Sequence, residues 1–257
     1  MEPKMNFPRV LRLVVVGIAV LVLDVSAKTV PDFASMKDVK QKKHAFFEYI
    51  YPLIEVANNE VLVKRKILEQ VMDDFNAGDE LTPRERKFLV EVADEYSLDI
   101  DEPATRENVE TLLRAVDYVP PSLALAQAAN GSAWGTSRFA KQANNFFGQW
   151  CFTKGCGIVP ARRDAGSTHE VRKFSTTQGS VRSYVRNVNT GRAYSSLRAV
   201  RADARRSDSM LTGHDLAAGL VRYSAQGDAY VKEIRSMIRT NELNNYDEKF
   251  WNASVVN

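Results

Sequence analysis

The chain has 257 residues, 44% of them hydrophobic and 26% charged, with 13 Gly and 9 Pro. These values lie near the globular average, which excludes collagen-like, low-complexity and wholly disordered chains and leaves room for one large or two small domains. The net charge of +3 hides an asymmetry: residues 28–119 hold 13 Lys+Arg against 20 Asp+Glu, whereas residues 161–206 hold 11 against 3. An acidic first part and a basic last part suggest two units that meet different partners.

The N-terminus reads as an export signal. Lys4, Arg9 and Arg12 precede an uninterrupted apolar run from Leu13 to Leu23, closed by Asp24. Val25-Ser26-Ala27 then offers the small residues a signal peptidase needs, which predicts cleavage before Lys28. Eleven residues are too few to cross about 30 Å of hydrocarbon at about 1.5 Å per residue, although an uncleaved anchor is the alternative. Residues 1–27 are therefore expected to be removed, leaving an exported chain in the periplasm or cell envelope with no membrane span.

Residues 28–117 read as a helical N-terminal region. Phe46, Phe47, Ile50, Leu53, Ile54 and Ala57 follow the spacing of one buried helix face. A second helix is predicted from Asn58 to Phe75, ending at Ala77-Gly78. Thr82-Pro83-Arg84-Glu85 is a capping box with proline in the first turn, and Thr105 starts a further helix carrying Val109, Leu112, Leu113 and Val116. This block has no glycine-rich loop and no cysteine, so its aromatic and aliphatic stripes are core by default.

Val119-Pro120-Pro121-Ser122 breaks the chain, and a strongly helical stretch follows from Leu123 to Asn130-Gly131. A short helix is expected through Ser137 to Gln142. Residues 148–174 are rich in Gly, Pro and Arg and read as loops with short strands, with Arg172-Lys-Phe174 as a candidate strand end. Helical signals resume at Ser180 and again from Leu216 to Met237. Cys151 and Cys156 are the only two cysteines. In an oxidising compartment they are most simply a disulfide worth about 2 kcal/mol in the chain-entropy model; metal binding, with His169 as the nearby further ligand, is the alternative. His44, His169 and His214 are too scattered for a triad or a metal site.

Leu125-Ala-Gln-Ala-Ala-Asn-Gly-Ser-Ala-Trp-Gly-Thr-Ser-Arg-Phe-Ala140 and Asn144-Asn-Phe-Phe-Gly148 resemble the signature of glycoside hydrolase family 73, the bacterial glucosaminidases that cut peptidoglycan glycan strands. Gly148-Gln-Trp-Cys-Phe-Thr-Lys-Gly-Cys-Gly157, His169-Glu-Val-Arg-Lys-Phe174, Ser180-Val-Arg-Ser-Tyr184 and Tyr223-Ser-Ala-Gln-Gly-Asp-Ala-Tyr230 are similar to the Bax-type branch. The resemblance covers residues 118–240, with 241–257 as a tail. It implies a mostly α, α+β, lysozyme-like fold with a groove for an extended glycan. Trp134, Phe147 and Trp150 would stack on sugar faces and Asn145 would hydrogen-bond acetamido or hydroxyl groups; core packing and a turn are the competing roles. No cofactor, metal or nucleic-acid partner is implied.

The family's general acid is the Glu of Ala-Leu-Glu-Ser-Gly-Trp-Gly, and the aligned position here is Gly131, with no carboxylate between Asp117 and Asp164. A glycosidic oxygen leaves poorly unless a carboxylic acid protonates it, and losing that acid costs about 10²–10⁴-fold in rate, or about 3–5 kcal/mol. Asp164 and Glu170 are the candidates for the second catalytic group, with a solvated Glu170 paired to Arg172 or Lys173 as the alternative. Tyr223 occupies the place of the family's Tyr in Tyr-Ala-Thr-Asp, where it would orient the acetamide or a water. The expected protein is thus an impaired hydrolase or a catalytically silent glycan binder. A scaffold built on the acidic helices is a third reading.

Overall fold

The computed structural model describes residues 29–101, 104–161, 163, 166–207, 209–224 and 226–255. The expected signal segment and Asp164 lie outside the described residues. The chain is mostly helical with one small antiparallel sheet, as the α+β expectation required.

The first helix, α1, runs unbroken over Val39–Ala77, so the two helices expected on either side of Asn58 are one. Its N-cap is Asp38, whose carboxylate accepts from the Gln41 N–H at 2.7 Å, and it ends on Gly78 at φ 77°, the left-handed stop that glycine adopts freely. Asn58 does not break it because its side chain leaves the helix for a neighbour: Nδ2 donates to the Val119 carbonyl at 2.7 Å and Oδ1 accepts the Val119 N–H at 3.1 Å. The capping box opens α2 (Pro83–Tyr96) and Thr105 caps α3 (Arg106–Ala115), both as predicted.

At the centre lies α4 (Pro121–Ser132), whose residues Pro121 to Ala129 are all buried. A helix apolar on every side belongs in the middle of a fold, and here α1, α9 (Asp228–Thr240) and α10 (Asn244–Phe250) pack around it. The segment beyond residue 240 is therefore a packed helix, with Asp247 and Phe250 buried. Asp247 anchors the start of α4: its carboxylate accepts from the Ser122 N–H (2.7 Å), the Ser122 hydroxyl (2.6 Å) and the Gly213 N–H (3.0 Å).

After α5 (Arg138–Ala143) come β1 (Trp150–Cys151), β2 (Gly157–Ile158) and β3 (Glu170–Arg172), in the antiparallel order β1-β3-β2. Trp150 pairs with Val171, Cys151 with Glu170 and Gly157 with Arg172. Helices α6 (Thr177–Thr190), α7 (Ser195–Arg206) and the short α8 (Gly213–Leu216) lead back to α9.

The acidic and basic parts of the sequence meet each other. Asp117, fully buried, lies 2.7 Å from the Arg205 guanidinium and 3.3 Å from that of Arg65. Arg201, also buried, donates to Asn189 Oδ1 (2.7 Å) and to the carbonyls of Arg114 and Ala115. Burial raises the Asp117 carboxyl, but Arg201, Arg205 and Arg65 outweigh it and hold the group below its ordinary value. Glu60 of α1 pairs with Arg182 of α6 in the same sense. At Asp117 and Glu60 the charge asymmetry is thus internal complementarity between distant segments.

Candidate functional site

The end of α4 is followed by three consecutive left-handed residues, Ala133 (φ 50°), Trp134 (φ 58°) and Gly135 (φ 76°). Only the third is glycine, so the turn is strained at the first two, and its surroundings hold it. Ser132 donates to the Ala128 carbonyl (2.6 Å) and accepts the Gly135 N–H (2.8 Å). A Cβ on Gly135 would lie 2.3 Å from the Phe33 ring, so any other residue would have to displace that buried ring as well as adopt a left-handed backbone. The turn delivers Trp134 to α1, edge-on to Phe46 (5.7 Å) and Phe47 (5.5 Å) with the Lys43 ammonium 4.8 Å from its centroid. Trp134 is half-buried, and α1 covers part of the ring that the sequence assigned to sugar stacking.

Gly131 is exposed in the last turn of α4, and a Cβ there would point at the Phe146 carbonyl oxygen (3.1 Å) and the Phe147 backbone (3.2 Å). The Phe147 carbonyl accepts from the Tyr223 hydroxyl at 3.4 Å. The structure therefore brings Gly131, Phe147 and Tyr223 to one place. Phe147 contributes its backbone there. Its ring is buried and stacked on Tyr184 at 3.9 Å and 8°, so it is core and presents no face to a sugar.

Asn145 shapes the same loop. Its Nδ2 donates to the carbonyls of Gln149 and Arg172, both at 2.9 Å, while Oδ1 accepts the N–H groups of Phe147 (3.3 Å) and Gln149 (3.0 Å). With both donors and the acceptor oxygen occupied and the residue fully buried, the amide has nothing to offer an acetamido group. This corrects the expectation of direct hydrogen bonding: Asn145 pins the loop to β3.

Behind the loop lies a tyrosine cluster that the sequence reading missed, apart from Tyr223. Gln127 bridges it, accepting from the Tyr184 hydroxyl at 2.6 Å and donating to that of Tyr230 at 3.1 Å. Tyr223 lies 5.2 Å, ring to ring, from both Tyr194 and Tyr230. Burial pushes the Tyr223 phenol up, partly offset by the neighbouring Tyr194 and Tyr230 hydroxyls. The hydroxyl stays protonated near neutral pH and acts as a donor. Tyr223 lies in the turn before α9 and Tyr230 in the first turn of that helix, so no periodic spacing in the sequence announces the cluster.

Glu170 is buried on β3 and its carboxylate is spoken for: the Gly155 N–H donates to Oε1 at 2.9 Å and the Gly157 N–H to Oε2 at 2.8 Å. Those two bonds lower its pKa first, burial opposes them, and Arg163 and Lys154 add to the lowering. Gly155 lies within the loop closed by the Cys151–Cys156 disulfide, whose Cα atoms are 6.2 Å apart, and Gly157 follows it directly on β2. Cys151, Cys156 and Glu170 form the group of potential metal ligands among the described residues, but both sulfurs are consumed in the bond. Trp150 is 57% exposed beside this loop, its ring stacked on His169 at 3.9 Å. Phe152, not singled out from sequence, is 70% exposed next to it.

On the other side of Asn130, a cavity of about 500 Å³ is lined by Lys43, Trp134 and Asn241 together with Glu233 of α9. The Asn130 Nδ2 donates to Glu233 Oε1 at 2.7 Å. Glu233 is thus a carboxylate that the fold brings to the residue preceding Gly131, although none is near in sequence. It faces the α1–α9 cavity, whereas Gly131 faces the Phe146–Phe147 backbone.

The helical body and the three-stranded lobe are joined through the loop that faces Gly131. The family model described as mannosyl-glycoprotein endo-beta-N-acetylglucosaminidase matches residues 107–243, and the chain belongs to this glucosaminidase family. Protein bax of Escherichia coli (strain K12) is 30% identical over 216 residues, which cover 84% of this chain and 76% of that protein. The Bax-type resemblance read from the motifs is thereby established. No solved structure matches the chain. Among the described residues no helix is long and apolar enough to cross a membrane.

Proposed function

We propose that this is an exported peptidoglycan hydrolase of the endo-β-N-acetylglucosaminidase type whose turnover is impaired because Gly131 stands where the general acid belongs. The observation that carries the reading is the position of Gly131: exposed at the end of α4, directed at the Phe146–Phe147 backbone, with the Tyr223 hydroxyl on the Phe147 carbonyl. A Glu side chain at 131 would start beside that carbonyl and a neutral phenol donor. Gly131 itself offers no proton. Tyr223 would orient the acetamide or a water, and Trp150 would supply the exposed stacking face.

Glu170 remains the candidate for the second carboxylate on the β lobe. Its two backbone hydrogen bonds keep it ionised, as an electrostatic stabiliser or base requires, but leave it only its remaining lone pairs. A silent glycan-binding role is the second reading, favoured by Gly131 itself. Muropeptide release from purified peptidoglycan by the chain and by Gly131→Glu separates the two. Release only by the Glu variant supports an acid-less hydrolase. Equal release by both places the proton donor elsewhere.

A further inference from the structure

A second cavity, of about 450 Å³, lies between α1, α2, α6 and the end of β3. Four cations line it, Lys64, Arg172, Arg182 and Arg186, against two carboxylates, Glu60 and Glu95. Both carboxylates are already used, Glu60 by Arg182 and Glu95 by Lys64. Among the described residues Arg172 and Arg186 have no carboxylate within ion-pair distance. Arg172 lies over the Phe174 ring, 5.5 Å from its centroid, and both arginines are exposed. Tyr96 lines the same cleft.

Two guanidinium groups without counter-ions in a concave site suit oxyanions, because each presents paired N–H donors that match a carboxylate. Half of the wall, from Ala57 to Tyr96 on α1 and α2, lies outside the family-matched residues 107–243. The site is therefore built jointly by the N-terminal helices and the glucosaminidase region. Two hydrogen bonds link it to the loop that faces Gly131: the Arg172 N–H donates to the Gln149 carbonyl, and the Arg172 carbonyl accepts from the Asn145 side chain.

We propose that this cleft binds a carboxylate-bearing peptide of the kind that branches from cell-wall glycan. The inference rests on the peptidoglycan reading, and it assigns the N-terminal helices a part in recognising the polymer. An extended glycan passing the Gly131 loop would carry its peptides outward, and Arg172 and Arg186 would hold their carboxylates.

The probe is the sugar-free tripeptide L-alanyl-γ-D-glutamyl-diaminopimelate, titrated calorimetrically into the full chain, with inorganic phosphate in a parallel arm at equal ionic strength. Arg172→Gln and Arg186→Gln should each weaken tripeptide binding about tenfold or more, the scale of a lost charged hydrogen bond, and added salt should weaken it further. Arg192→Gln, an exposed arginine away from the cleft, should leave it unchanged. Unchanged binding in the Arg172→Gln/Arg186→Gln double variant overturns the inference, as does phosphate binding as tightly as the tripeptide. Glycan stripped of its peptides separates the two claims. If stripped glycan binds and the tripeptide does not, the cleft inference fails alone. If the tripeptide binds and stripped glycan does not, the glucosaminidase reading fails instead.

Discussion

The Tyr223 hydroxyl donates to the Phe147 carbonyl at 3.4 Å, and the same Phe147 backbone lies 3.2 Å from where a Cβ on Gly131 would be. One peptide unit thus joins the position proposed for the general acid to a buried-edge phenol that stays protonated. The first consequence concerns replacement at 131. The contact requires the Phe146–Phe147 backbone to yield by a few tenths of an ångström, while leaving glycine behind in a helix contributes about 0.8–1.0 kcal/mol relative to alanine. Gly131→Glu is therefore expected to fold and to raise muropeptide release by about 10²–10⁴-fold. Thermal unfolding and chromatographic release, run on the same preparations, check both parts.

Trp150 and Phe147 should behave oppositely. Trp150→Ala removes a ring that is 57% exposed, so glycan binding should weaken with little change in melting temperature. Phe147→Ala empties a stacked, buried position and should cost about 3–5 kcal/mol of stability. Denaturant titration and pull-down on peptidoglycan distinguish a sugar platform from core, and equal effects of the two on binding would count against the assignment.

Tyr223→Phe deletes the donor to Phe147 and leaves the ring packing with Tyr194 and Tyr230 in place. In the Gly131→Glu background it should lower kcat and leave glycan affinity unchanged, at a stability cost near that of one hydrogen bond, about 1 kcal/mol. A fall in affinity with kcat preserved would assign Tyr223 to binding.

Two carboxylates make opposite contributions to the pH dependence of stability. Burial raises Asp247 to about 6, against the hydrogen bonds from Ser122 and Gly213 that lower it. Between the ordinary value of about 3.9 and that raised value the folded state holds a proton the unfolded chain has released, so stability falls as pH rises through this range. Asp247→Asn should flatten that slope. Glu170 is lowered by the Gly155 and Gly157 N–H groups, so its contribution is present above the unfolded glutamate range and disappears as pH drops through its folded value. Chemical denaturation at intervals from pH 3 to 7 reads both, and an unchanged slope in Asp247→Asn would contradict the first.

Reduction of Cys151–Cys156 should cost about 2 kcal/mol and release the loop whose N–H groups hold Glu170. Hydrogen exchange at Gly155 and Gly157 should rise sharply on reduction while the amides of α4 stay protected.

What was legible in the sequence were the locally encoded features. The Thr82 capping box, the Thr105 cap and the Gly78 stop are each decided within four residues, and each was read correctly. Asn58 was misjudged because what keeps α1 whole is a pair of hydrogen bonds to Val119, 61 positions away. Asn145 and Phe147 were read as glycan contacts because motif residues declare their importance without declaring its direction, and both turn inward here. Glu233 was invisible for a similar reason, since only the packing of α9 on α4 places it against Asn130.

The bonds that close this fold join residues far apart along the chain: Arg182 to Glu60 over 122 positions, Ser122 to Asp247 over 125, Tyr49 to Thr177 over 128. Helix α1 therefore lacks part of its final packing until α6 exists, and the buried Asp117, already paired with the earlier Arg65, gains Arg201 and Arg205 only 84 and 88 positions later. Loop-closure entropy of this kind delays collapse until the closing segments exist. A chain clasped at Asp247 therefore completes its packing only once its last helix is present.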